Sequence, residues 1–450
     1  MVIVVLVAIG EWVDSELLGI LIAVATASLM LLLVPTVRPS RLAFIVVGGA
    51  LTLASVLFDP EWQTMLLRGF AIGAFVAAFF AALSTLRAAA DSSPGIRRCG
   101  RFLAQQPPGR RYAALTVGGQ LFALLLNYGS IALLGSLAAT SAREEPNPEI
   151  RAIRIRRMLL AIQRAFISTL PWSPLSFAIA ITTTLLPGTS WGHALLPCFI
   201  TGLLLAGIGY GMDTMLKPRL SGPRPVPKKP EGSWKSLGPL VLLLLVMFVL
   251  AGGLHILAGV RIVGAVIMIV PVVSFLWVMM QARARRPFAT ALSRSASFVA
   301  VDLPSYRNEM TLLMMAAYIG TVGAHLLSPM VASSGIDLAA VPTPVILVLL
   351  VWLIPVAGQF GMNPLLAVSL FGPLLPAASV LGVSQTAVLV AITGGWALSG
   401  ASSPFTATTL LVGSLSGTSA VHVGVRWNGV YSILCAAVLS VWVLAYAYLF

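Results

Sequence analysis

Acidic residues are scarce in this chain, with 14 Asp and Glu among 450 positions against 28 Lys and Arg. Charged residues of both signs make up only 9%, where soluble domains carry about 25%. A water-soluble globular protein is therefore excluded. The apolar share of 58% excludes disorder and fibrous repeats as well. Cysteine is just as sparse. Cys99, Cys198 and Cys435 are scattered and form no CxxC, so they support neither a disulfide framework nor a metal site. The four histidines stand alone. No GxSxG, HExxH or P-loop pattern occurs at a useful position, and the missing P-loop excludes an ATP site of that type within this chain. A membrane enzyme acting on lipid would show a cluster of His, Asp or Glu at the interface, and none is seen. The apolar start, Met1 to Ile9, lacks the basic stretch and cleavage site of a signal peptide.

What the chain does have is long apolar runs. They are unbroken and do not alternate, which argues against a β-barrel and for spanning helices of about 20 residues. The runs fall at 17–35, 42–58, 65–87, 112–139, 158–187 and 192–216, then at 237–257, 260–281, 308–330, 343–376, 385–416 and 427–449. A Pro- and Lys-rich linker at 217–236 separates the two sets, and residues 1–16 form an N-terminal segment.

Four runs are interrupted. Asn127-Tyr128-Gly129-Ser130 lies near the middle of 112–139, and Gly358-Gln359-Phe360-Gly361-Met362-Asn363-Pro364 lies within 343–376. Each reads as two half-helices around a polar break. The runs 158–187 and 385–416 contain Ser168-Thr169-Leu170-Pro171-Trp172-Ser173-Pro174 and Ser399-Gly400-Ala401-Ser402-Ser403-Pro404. Proline removes an amide donor and clashes with the preceding turn, so each site breaks its helix. The same kinds of break recur in the same order in both halves, including Gly119-Gln120 with Asn127 and Gly358-Gln359 with Asn363.

Charge tests the topology. If 112–139 and 343–376 are re-entrant hairpins, each half crosses five times and the second is inverted relative to the first. Loops 36–41, 88–111, 140–157, 217–236, 282–307 and 417–426 then share the cytoplasmic face and hold 24 of the 28 basic residues. Loops 10–16, 59–64, 188–191, 258–259, 331–342 and 377–384 hold none, but carry Glu11, Asp14, Glu16, Asp59, Glu61 and Asp337. This is the positive-inside pattern. It explains the net charge of +14 without a nucleic-acid partner. The expected fold is thus an all-α integral membrane protein of two inverted repeats, 17–216 and 237–450. Each repeat has three spans, a re-entrant hairpin, a broken span and a final span. The expected location is the inner (plasma) membrane.

A broken helix at membrane depth leaves backbone groups that only protein or a watery cavity can satisfy. Half-helix N-termini suit an anion, whereas exposed carbonyls and hydroxyls suit Na⁺. This layout is expected of a secondary transporter working by alternating access. The architecture resembles the ion transporter superfamily, which includes divalent anion:sodium symporters, citrate carriers and the large membrane subunits of tripartite periplasmic transporters. Gly361-Met362-Asn363-Pro364 fits the Gly-x-Asn-Pro form found at hairpin tips in that superfamily. The first tip, Asn127 to Ser130, departs from the Ser-Asn-Thr triplet of sodium-coupled dicarboxylate carriers, so dicarboxylate specificity does not carry over.

The candidate substrate or ion ligands are Asn127, Ser130, Ser173, Gly361, Asn363, Ser402, Ser403 and Thr406, with Gln120 and Gln359 one or two turns before the tips. Na⁺ would sit near Asn127 and Asn363; no other cofactor is expected. The plainer roles are capping of the breaks by the asparagines, back-bonding by the hydroxyls (Thr408 included) and interhelical hydrogen bonding by the glutamines. Pro174 and Pro404 read as structural. Arg164 lies inside its run but within about two turns of the cytoplasmic end, so snorkelling is the expected role; Arg68 and Arg261 read the same way. Glu309 beside Arg307 reads as a surface pair, and Asp213 lies near a cytoplasmic end. No carboxylate falls mid-membrane, which argues against proton-driven cation exchange, although His325 and His255 near span ends could titrate.

The expected function is transport of a small organic anion, with Na⁺ as a coupling ion to be tested. A membrane subunit of a multi-component carrier is one rival. An integral membrane enzyme or a non-transporting assembly factor is another. The partners are the anionic substrate and the lipid bilayer, with a homodimer left open.

Overall fold

The computed structural model describes residues 1–449 except 187, 218–229, 231, 284–285, 335–337 and 339. Most of the 217–236 linker, and Asp337, therefore lie outside the described residues. Among the described residues there is no strand. The first half runs α1 (Val2–Gly10), α2 (Glu16–Leu33), α3 (Pro39–Phe58), α4 (Trp62–Asp91), α5 (Pro94–Ala104), α6 (Pro108–Leu126), α7 (Gly129–Arg143), α8 (Pro148–Thr169), α9 (Phe177–Leu185) and α10 (Trp191–Met215). The second runs α11 (Gly238–Ala258), α12 (Ile262–Gln281), α13 (Pro287–Ser297), α14 (Leu303–Ser305), α15 (Arg307–Ser333), α16 (Thr343–Gln359), α17 (Pro364–Phe371), α18 (Ala378–Leu381), α19 (Gln385–Ser402), α20 (Ala407–Ser416) and α21 (Gly429–Leu449).

Nine segments among the described residues are long and apolar enough to cross a membrane. The chain is a multi-pass helical membrane protein. Its helices match the apolar runs to within a few residues, with α8 the main exception. That helix starts at Pro148, ten residues before its run, because Asn147 caps it by accepting from the amides of Glu149 and Ile150.

The core gathers where the interrupted runs lie. The α19–α20 segment is buried over most of its length, as are α4 and α15. By contrast α2 and α3 turn their apolar side chains outward, with Leu31, Leu32 and Phe58 all more than 70% exposed, as befits helices bathed in lipid. Within the core, α16 and α19 pack backbone to backbone. A Cβ on Gly395 would stand 2.6 Å from the Leu350 carbonyl oxygen and 3.1 Å from that of Val351, so only glycine permits the contact.

The loops meet in two groups. Among the basic loops, Arg307 donates to the Thr36 carbonyl at 2.8 Å, Asn308 accepts from the Arg38 amide, and Arg294 donates to Ser92 Oγ at 2.9 Å. Arg157 pairs with Asp213 through two hydrogen bonds, and Arg156 lies over the Trp427 ring. Among the acidic loops, Arg261 pairs with Glu11, His325 Nε2 lies 3.0 Å from Asp59 Oδ2, and Thr343 donates to the Leu381 carbonyl.

Two expectations need correction. Arg164 does not snorkel: it is only 5% exposed, because neutral acceptors and rings inside the bundle enclose it. Arg307 is committed to the Thr36 carbonyl, and no Arg307–Glu309 pair forms among the described residues; Glu309 is exposed. Within the N-terminal segment, Val2–Gly10 is helical and buries Val4 and Val7.

Candidate functional site

The first break lies between α8 and α9. Proline at 171 and 174 denies the helix two amide donors, and side chains take over. Ser173 Oγ accepts from the Leu175 amide at 3.1 Å. Ser176 caps α9 by accepting from the Ile179 amide, and its hydroxyl donates to the Leu170 carbonyl at 2.7 Å. The second break, between α19 and α20, repeats the scheme. Ser403 Oγ accepts from the Phe405 amide at 3.3 Å and donates to the Gly358 carbonyl at 2.6 Å. Thr406 and Thr409 both donate to the Ser403 carbonyl, and Thr408 donates to that of Gly400. Ser173-Pro174-Leu175-Ser176 and Ser403-Pro404-Phe405-Thr406 thus place equivalent hydroxyls at equivalent points of the two breaks.

The two breaks are neighbours. Gln163 Nε2 reaches the carbonyls of Gly400 and Ala401 at 3.4 and 3.5 Å. A Cβ on Gly400 would lie 3.1 Å from Ile167 and 3.6 Å from Leu170. Each break is also joined to its hairpin tip. Asn127 ends α6 in a left-handed conformation (φ +49°); its Oδ1 accepts from the Tyr128 amide and its Nδ2 lies 3.4 Å from the Leu175 carbonyl. Ser130 donates to the Asn127 carbonyl. In the second hairpin Gly361 supplies the turn (φ +90°), and Asn363 caps α17 by accepting from the Leu365 amide at 2.9 Å. Gln120 donates to Ser168 Oγ at 2.8 Å, and Gln359 lies 3.4 Å from Ser402 Oγ. All ten sequence-derived residues therefore lie at the hairpins and the breaks. Nine of them engage their side chains in capping, back-bonding and bridging, the plainer of the two roles, and Gly361 supplies a turn.

Four helices, α7, α9, α17 and α20, begin at these interruptions, each presenting the partial positive charge of an N-terminus. Ser399 Oγ is buried beside Gly358 with no hydrogen-bond partner. No group of three His, Cys, Asp or Glu gathers among the described residues to hold a metal ion.

Sequence reasoning missed the polar cluster next to the breaks. Arg164 Nε donates to Asn428 Oδ1 at 3.2 Å, Nη1 donates to the Tyr112 hydroxyl at 3.3 Å, and the guanidinium lies 4.2 Å from the Tyr431 ring centre. Asn428 Nδ2 donates in turn to Gln163 Oε1 at 3.0 Å. Gln163, Asn428 and Tyr431 are fully buried. The chain of contacts runs from Arg164 through Asn428 and Gln163 to the second break. Its one sequence signal was an arginine within an apolar run.

No protein-family model matches the chain, and no curated protein matches it in sequence. Solved structures do resemble it. The YdaH transporter of Alcanivorax borkumensis, described as having an unusual topology, superposes with a TM-score of 0.58 at 16% identity, over 90% of this chain and 98% of that one. MtrF of Neisseria gonorrhoeae, from a class of antimetabolite efflux pumps, gives 0.55 at 13% identity, over 91% and 96%. At these identities the likeness is one of fold.

Proposed function

We propose that this chain is a secondary active transporter that moves a small organic anion across the inner membrane by alternating access. The observation that carries this reading is the pair of neighbouring helix breaks, at Leu170–Ser176 and Ser403–Thr406, each tied to its own hairpin tip. Interrupted helices inside a bundle cost backbone hydrogen bonds, and such interruptions mark substrate and ion sites in transporters. The equivalent hydroxyls at the breaks support an internal repeat, inverted by the parity of the crossings, as in the ion transporter superfamily. The basic loop group, including the 217–236 linker, then faces the cytoplasm.

The cargo follows from electrostatics. The N-termini of α9 and α20 stand at the breaks, those of α7 and α17 at the hairpin tips tied to them, and Arg164 stands nearby, whereas no Asp or Glu takes part in any of the hydrogen bonds described there. Na⁺ coupling rests on the oxygen-rich surroundings of Gly358, Ser399 and Ser403, and on Asn127 and Asn363 at the tips. The shared fold with YdaH and MtrF agrees with a transporter but carries neither cargo nor direction.

The test is a thermal-shift screen of the purified protein against organic and inorganic anions, with and without Na⁺, followed by uptake into liposomes containing this protein alone. Binding to the native state raises the melting temperature. An anion that stabilises the protein and is then accumulated supports the reading. Binding without transport by the isolated chain would favour a subunit of a multi-component carrier, and a flat screen with no uptake would overturn the proposal.

A further inference from the structure

The 11-residue helix α13 divides into three faces. Ala291 and the following Phe298 are buried, with Ala291 packed among Ala89 and Val278. A second stripe holds Phe288, Leu292 and Val299, which are 60%, 55% and 42% exposed. The third holds Arg286, Thr290, Ser293 and Arg294, which together with Ala289 line one shallow cleft. Spacings of three and four residues put Thr290, Ser293 and Arg294 on one side of the helix, and Arg286, just before its start, joins them in the cleft lining.

We propose that α13 is an interfacial helix whose cleft binds the phosphate headgroup of an anionic phospholipid, while its exposed apolar stripe enters the acyl region. Three observations support a lipid over a soluble phosphate or a protein. The apolar and basic stripes lie side by side, the arrangement that a headgroup with attached acyl chains satisfies. The helix is held at the depth where spans end: Ser92, at the end of α4, donates to Gln281 at the end of α12 and accepts from Arg294. The charge is also unbalanced. Loop 282–307 contains Arg283, Arg285, Arg286, Arg294 and Arg307 against a single acidic residue, Asp302, so an anionic surface is the complement. The proposal does not depend on what the breaks transport.

The experiment uses the full-length protein in detergent, supplemented with phosphatidylglycerol or phosphatidylcholine vesicles, with inorganic phosphate and glycerol phosphate as headgroup controls. Retained lipid is read by native mass spectrometry and stability by thermal shift. The wild type should retain phosphatidylglycerol over phosphatidylcholine. The Arg286→Gln/Arg294→Gln variant should lose that preference by roughly tenfold or more, since each basic group near an anionic surface contributes substantially. Arg286→Lys/Arg294→Lys should keep most of the preference, which separates loss of charge from loss of folding. Phe288→Ser/Leu292→Ser should lower retention of both lipids. A wild type indifferent to headgroup charge, or a glutamine variant that retains the preference, would overturn the proposal. So would equal stabilisation by inorganic phosphate, which would mark the cleft as a soluble-anion site.

Discussion

Arg164 and Asn428 meet across 264 positions of sequence, Nε to Oδ1, at 3.2 Å. Among the described residues no carboxylate forms a salt bridge with this guanidinium, which leaves a buried cation compensated only by neutral acceptors and a ring face.

Arg164 lies six residues before Leu170, or about 9 Å along a helix. At that distance and an effective dielectric constant of about 20, a unit charge at the first break gains about 2 kcal/mol from the guanidinium. Arg164→Gln, which keeps a donor for Asn428 but removes the charge, should therefore lower anion affinity roughly tenfold to thirtyfold. Arg164→Lys should retain most of that affinity despite losing the fork of donors. Calorimetric titration of both variants with an anion found in the screen decides the matter. Equal losses would assign Arg164 to hydrogen bonding alone.

The hairpin asparagines can be divided by substitutions that spare the backbone. Asn127→Gly suits the positive φ, and Asn363→Ser keeps an N-cap acceptor. Both should melt within a few degrees of wild type, whereas Asn363→Ala should lose about 1 kcal/mol with its cap. If the amides also contact the cargo, Asn127→Gly and Asn363→Ser raise the apparent Kd tenfold or more, because a hydrogen bond to a charged group contributes about 1.5–3 kcal/mol. Wild-type affinity in both would remove the tips from the binding site.

Accessibility of engineered cysteines checks the two faces. The native thiols are buried, and burial pushes the Cys99 thiol up to about 12, so it stays protonated and unreactive near neutral pH. The wild type should thus resist a membrane-impermeant maleimide without prior removal of cysteines. Ser92→Cys and Glu144→Cys should resist the reagent added outside intact cells, and Gln63→Cys should react. Labelling of only one of the first pair would mean that the α6–α7 hairpin crosses the membrane.

Gly395→Ala would drive a methyl group to 2.6 Å from the Leu350 carbonyl. Because the obstacle is backbone rather than a flexible side-chain end, the helices must separate. A loss of more than about 2 kcal/mol is expected, measured as a fall in melting temperature or in yield of folded protein. Gly361→Ala, strained at φ +90°, should cost about 1–2 kcal/mol by the same measurement.

The helices and their interruptions were legible because both are local. Apolar runs report spans, and prolines 171, 174, 364 and 404 report breaks through a missing donor that no distant residue can restore. The tips were legible for the same reason, since Asn363 caps a helix beginning one residue later. The Arg164 cluster was not. Its acceptors Tyr112 and Asn428 come from other parts of the chain, and residue 164 alone is compatible with an arginine reaching for water. The Arg157–Asp213 pair was invisible for the same reason, each residue alone reading as one more interfacial charge. Helix α1 and helix α13 escaped notice because nine and eleven residues are too few to form a span, although their packing is specific.

Helix α16 lies flush on α19 at Gly395, and the Gly358 carbonyl holds the Ser403 hydroxyl at 2.6 Å. Sliding one helix along the other by even a single residue would push a side chain into a carbonyl row and abandon that hydroxyl. Hairpin and broken span are therefore interlocked as one solid block. Cargo held against that block would travel with it, and the hairpin tip would not need to lift away for access to change sides.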